Sequence, residues 1–160
     1  FSYLNLILYL IEKYAGHEMA ILSAKVFAIE IERDNQLSFA IFQGQKEHAD
    51  DEIKKAQHFI ERNFHEKITV EQLSAMVAIG RRSFERRFKK ATSNTVTEYI
   101  QRVKIEAAKK NLEISRKNVN DVMYDVGYSD TKAFRTTFKK VTGLSPMHYR
   151  NKYNKEAVAV

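Results

Sequence analysis

The eighteen residues from Ser83 to Ile100, SFERRFKKATSNTVTEYI, return fifty positions later, from Ala133 to Arg150, as AFRTTFKKVTGLSPMHYR. Phe84/Phe134, Phe88/Phe138, Lys89/Lys139, Lys90/Lys140, Thr92/Thr142 and Tyr99/Tyr149 coincide without a gap. A repeat of this length marks one small supersecondary unit built twice. Whatever the chain folds into must therefore contain two copies of it.

Local signals give the parts of each copy. With one Pro and five Gly in 160 residues, the composition leans toward helices. Asp50, Asp51 and Glu52 stand where a helix N-terminus favours anions, followed at helical spacing by Ile53, Ala56, Phe59, Ile60 and Phe64. Thr69 and Gln72 have capping-box spacing and open a short helix bearing Val70, Leu73 and Val77, which Gly80 is expected to break. A second helix is expected from about Arg82 to Ala91. Thr95 and Glu98 then form another capping box, for a long helix reaching about Leu112. In the second copy Asn118 caps a short helix with Val119, Val122, Met123 and Val126, and Gly127 ends it. The helix of Phe134 and Phe138 follows Ser129 and Asp130, and Ser145 with Pro146 starts the last one. The expectation is an all-α chain with two helix-turn-helix units, at residues 50–94 and 118–153, joined by a linker helix over 95–114.

At 100° per residue, Phe84, Phe88 and Ala91 share one side of their helix, with Arg82, Arg86 and Lys89 opposite and Glu85 at the flank. In the second copy Phe134, Phe138 and Val141 face inward, Lys132, Thr136 and Lys139 lie opposite, and Arg135 is at the flank. The buried side is repeated and the free side is not. Tyr99 and Tyr149 recur at equal places and are assigned to the core. If the free sides read DNA, the two copies read different bases. A linker of about twenty residues spans about 30 Å, close to the roughly 34 Å between successive major-groove faces on one side of B-DNA.

Net charge is +7, and its distribution is informative. Phe1 to Gln45 carries 3 basic and 5 acidic residues, against 24 and 15 from Lys46 onward, with 12 and 4 between Arg81 and Lys117. That excess would attract and steer a polyanion. There is no cysteine, which excludes disulfides, thiolate metal sites and a cysteine nucleophile. His17, His48, His58, His65 and His148 form no H-x-x-x-H pair, so no metal or cofactor is expected. No set of acid, base and nucleophile suggests an enzyme. The longest apolar run, Leu6 to Ile11, is too short to span a membrane, which leads to the expectation of a cytoplasmic protein.

The opening segment differs from the rest. YLNLILYLIEKY (Tyr3 to Tyr14) and MAILSAKVFAIEI (Met19 to Ile31) are apolar on nearly every side, as in helices buried within something larger. They are expected to be the last helices of an upstream domain, followed by a linker that contains SFAIF, so that residues 1–45 form a remnant and 46–160 the working domain. Homodimerisation through this segment would cover its apolar surface.

The passage DVMYDVGYSDTKAFRTTFKKVTGLSPMHYR, from Asp121 to Arg150, resembles the signature of AraC/XylS-type transcription regulators: a Gly-Tyr turn, aromatics four apart, and a Gly-x-Ser-Pro-x-x-Tyr-Arg ending. The resemblance covers about Asp50 to Tyr153. It implies two helix-turn-helix subdomains joined by a long helix, with the second helix of each in the major groove. Base-reading positions then fall on Arg82, Glu85 and Arg86 in the first unit and on Thr131, Lys132, Arg135 and Thr136 in the second. Arg81, Lys89, Lys90, Lys139 and Lys140 are the expected phosphate contacts. Thr136 stands where many members have arginine, which implies shallower specificity in the second unit. The opening segment, with SFAIFQGQKEH after it, resembles the end of the glutamine-amidotransferase-like domain of GlxA-type members. The expected partner is double-stranded promoter or operator DNA, with RNA polymerase as a further partner. The alternative is a helical interaction module for an acidic protein; salt-sensitive binding to duplex DNA that also depends on sequence discriminates the two.

Overall fold

Seven helices run between residues 51 and 153 of the computed structural model: α1 (Asp51–Asn63), α2 (Val70–Met76), α3 (Arg81–Thr92), α4 (Val96–Ile114), α5 (Val119–Asp125), α6 (Thr131–Thr142) and α7 (Pro146–Tyr153). The structure describes residues 46–154 continuously and, before them, residues 7, 10, 11, 13–16, 19 and 23. All regular structure among the described residues is helical. The chain forms two compact units, Phe1–Ile41 and Phe42–Val160. In the first, the described residues on either side of Gly16 are helical. Most of the two apolar helices expected at 3–14 and 19–31, and the stretch at 38–42, lie outside the described residues.

Side-chain caps set the helix starts, as the sequence indicates at Thr95, Asn118 and Ser145. Asp50 accepts the Ile53 N–H, Thr95 the Glu98 N–H, Asn118 the Asp121 N–H, Asp130 the Ala133 N–H and Ser145 the His148 N–H. Each satisfies a backbone donor that the first turn of a helix leaves without a partner. The full capping box forms at Thr95 and Glu98, while Thr69 caps α2 through its bond from the Gln72 N–H alone. The break after α2 falls elsewhere than expected. Ala78 takes the left-handed conformation (φ 55), and Gly80, at φ −59, is instead the N-cap of α3. The matching position of the second unit is Gly127, at φ 85.

Each helix-turn-helix unit within Phe42–Val160 has its own core, and the two are built alike. Phe84, Phe88 and Tyr99 are fully buried with Ile53, Ala56, Ile60 and Leu73. Phe134, Phe138 and Tyr149 occupy the same places among Ile105, Ala108, Leu112, Val122 and Met123. The Phe88 and Tyr99 rings meet edge-on at 5.4 Å, as do Phe138 and Tyr149. Thr92 donates to the Phe88 carbonyl at 2.8 Å, and Thr142 to that of Phe138 at 2.8 Å. The assignment of both tyrosines and all four phenylalanines to the core holds. Phe59 and Phe64 are only partly buried, and the neutral Gln57 takes a fully buried place on α1.

The linker helix is more than a connector. Ile53, Ala56, Ile60 and Glu61 of α1 have counterparts in Ile105, Ala108, Leu112 and Glu113 of α4 at a constant offset. The Tyr99 hydroxyl donates to Glu61 at 2.9 Å, and the Tyr149 hydroxyl donates to Glu113. Burial pushes both phenols far above their ordinary range, which keeps them protonated as donors. The second half of α4 is thus the first helix of the second unit. Gln57 corresponds there to Lys109, also buried, whose ammonium is held 3.0 Å from the Glu106 carboxylate. A buried charge needs such a partner.

Candidate nucleic-acid interface

Two inward phenylalanines fix the rotation of α3 about its axis, and two fix that of α6. The residue-by-residue order of buried, half-buried and exposed positions is the same over 81–92 as over 131–142. Each helix therefore presents the same face to solvent with different side chains on it. Arg82, Glu85 and Arg86 are exposed on α3, and Thr131, Lys132, Arg135 and Thr136 on α6. Arg81, Lys89, Lys90, Lys139 and Lys140 are exposed as well.

These cations are not equally placed. Arg81 is ion-paired with Glu71 of α2, and its Nε lies 3.7 Å from the Glu85 carboxylate. It ties the first helix of the motif to the second and draws Glu85 along. The Lys89 ammonium is 3.9 Å from Glu98, in the first turn of α4. A bond from the Thr95 N–H holds the Glu98 carboxyl below its ordinary range, and the charges of Lys89, Arg102 and Lys140 add to the effect. Lysines from both units thus act on the start of α4.

Several basic residues counted in the sequence belong to the fold instead. Lys109 is buried, and Lys117 is 2.7 Å from Asp125. The Lys104 ammonium donates to the Gly127 carbonyl at 3.2 Å. Arg87 is the residue that sequence reasoning missed. Its Nε and Nη2 grip Asp50 at 2.9 and 2.8 Å, joining the start of α1 to the middle of α3. This grip holds the Asp50 carboxyl below its ordinary range. Behind it, the Asp50 N–H donates to His48 Nδ1 at 3.2 Å, and His48 Nε2 meets Gln57 Oε1 at 2.8 Å. Asp50 stands in the sequence as an anion at a helix start, and it does cap α1, but nothing near it in sequence announces a partner 37 residues away.

Among the described residues no cluster of His, Asp and Glu could hold a metal ion, and no helix is long and apolar enough to cross a membrane. The described architecture has its parallel in known proteins. A family described as a helix-turn-helix domain matches residues 73–152, a span that contains both α3 and α6. The chain belongs to the AraC/XylS family.

Among its relatives is the bifunctional transcriptional activator/DNA repair enzyme AdaA of Bacillus subtilis, 39% identical over 92 residues. That match takes in 58% of this chain and 44% of AdaA. The transcriptional activator Btr of the same organism is 32% identical over 107 residues, 67% of this chain and 20% of Btr. The chain thus spans less than half the length of either relative. The DNA-binding domain of the global transcriptional factor AdpA, solved with a target DNA, is 29% identical with a TM-score of 0.60. It is matched over 63% of this chain and 91% of its own.

Proposed function

We propose that the chain is the DNA-reading part of a bacterial transcription regulator, binding duplex DNA sequence-specifically with α3 and α6 in successive turns of the major groove. The observation that carries this reading is the pair of matched helix faces. Two helices with the same inward side, and different polar side chains outward, suit a task in which one fold meets two base sequences. Arg82, Glu85 and Arg86 are the base readers of the first unit and Thr131, Lys132, Arg135 and Thr136 those of the second. An arginine fork can grip guanine O6 and N7, whereas Arg81, Lys89, Lys90, Lys139 and Lys140 neutralise phosphates. The 19 residues of α4 extend over about 28 Å, which suits this placement.

The finer organisation belongs to the same proposal. Residues 46–160 are the DNA-binding domain, and residues 1–45 end an amidotransferase-like domain of the GlxA type, a reading supported by the likeness of the opening segment. That segment pairs with its copy in a second chain, and the assembled regulator works in the cytoplasm, where it also meets RNA polymerase.

The test is duplex binding at several salt concentrations. If six to ten phosphates are neutralised, affinity falls by about 10³ to 10⁵ between 50 and 200 mM salt. Arg86→Ala is expected to cost about 1 to 3 kcal/mol on the preferred site and to relax choice at one or two base pairs, while Lys89→Ala weakens all sequences alike. Binding that is indifferent to salt, or that falls with salt but shows no sequence preference, would contradict the proposal.

A further inference from the structure

Two reading helices must hold not only a distance but a rotational phase, because a step of one base pair moves a half-site by about 3.4 Å and turns it by about 35°. A single connecting helix fixes the distance; the phase calls for a second point of contact between the units. The structure has one. Phe64, just past the end of α1, packs against both cores. Beside it, the His65 backbone lies against the turn between α5 and α6, so close that a Cβ at Gly127 would come within 2.7 Å of the His65 carbonyl oxygen. From α4, Lys104 donates to the Gly127 carbonyl at 3.2 Å, and its ammonium stands 5.4 Å from the centre of the Tyr128 ring. The Tyr128 ring in turn meets that of Phe134, on α6, at 5.3 Å. At the other end, α1 is gripped to α3 through Asp50 and Arg87. A second path therefore runs from α3 through Arg87, Asp50, α1 and the His65–Gly127 contact to Tyr128 and α6, with Lys104 of α4 braced against it.

Resting on the DNA-binding reading above, we propose that this junction sets the phase between α3 and α6, with Phe64, Lys104 and Gly127 as its positioning residues. None of the three touches a base. Gly127 is doubly constrained, by its left-handed backbone and by the carbonyl against it. Lys104 ties the turn to α4, and Phe64 fills the space between the cores.

The test uses the 160-residue chain and a duplex selected by it from a random pool, together with versions carrying one base pair more or fewer between the half-sites. The wild-type chain is expected to lose about tenfold or more in affinity at each altered spacing. Phe64→Ala and Lys104→Met are expected to bind a duplex holding only the α3 half-site as the wild type does, yet to lose less than about threefold across the spacing series. Lys104→Met keeps its aliphatic stem and carries the test if Phe64→Ala loses its helical circular dichroism. A spacing penalty in Lys104→Met equal to that of the wild type, or a wild type indifferent to spacing, would overturn the proposal. A wild type that enriches no duplex at all would instead overturn the DNA-binding reading on which it rests.

Discussion

Positions 78 and 127 make the same left-handed turn with different residues. Ala78 holds φ 55 with an N–H bond to the Ala75 carbonyl, and Gly127 holds φ 85 with one to Tyr124. The conformation costs an alanine about 1 kcal/mol or more, while a glycine adopts it freely but has more freedom to lose on folding. The first unit tolerates alanine at this turn. The second cannot, because a Cβ there would meet the His65 carbonyl. Ala78→Gly is therefore expected to change stability by less than about 1 kcal/mol, while Gly127→Ala destabilises by more than that. Denaturant midpoints of the two variants decide this, and equal effects would contradict it. The misplaced break at Gly80 has the same origin. A glycine advertises a turn, but nothing in the letters says that an alanine two residues earlier already makes it.

At the scale of elements, α1 and the second half of α4 do the same work from different starting points. The helix of the second unit is continuous at its N-terminal side, whereas α1 begins there and must be closed. Asp50 closes it twice, as N-cap and as the anion held by Arg87; at the corresponding places of the second unit stand Arg102 and Thr137. The folded carboxyl of Asp50 lies below its ordinary range, so the ion pair adds stability above the unfolded pKa of about 3.9 and that contribution is lost as pH falls through the folded value. Asn caps about as well as Asp. Asp50→Asn is thus expected to be less stable than the wild type at pH 7, with the gap closing below about pH 4. A gap that persists in acid would assign the effect to packing. The helices themselves were legible because caps such as Thr95, Asn118 and Ser145 sit beside apolar residues at helical spacing, and the outward faces were legible because paired phenylalanines set each rotation. The partners within the fold were not. Arg87 reads as one more cation in a basic run, and the likeness of α1 to α4 rests on few identities, such as Ile53/Ile105 and Glu61/Glu113.

At the largest scale, the repeat, the dual use of α4 and the junction at Gly127 combine within Phe42–Val160 into a domain with two outward helices. Read as proposed, that domain meets DNA at two places a helical turn apart. Sequencing the duplexes that the chain selects from a random pool tests this most directly. The expected result is two conserved blocks centred about 10 to 10.5 base pairs apart, the one read by α3 sharper than the one read by α6, where Thr136 stands. A single uninterrupted block, or no enrichment over the starting pool, would contradict it.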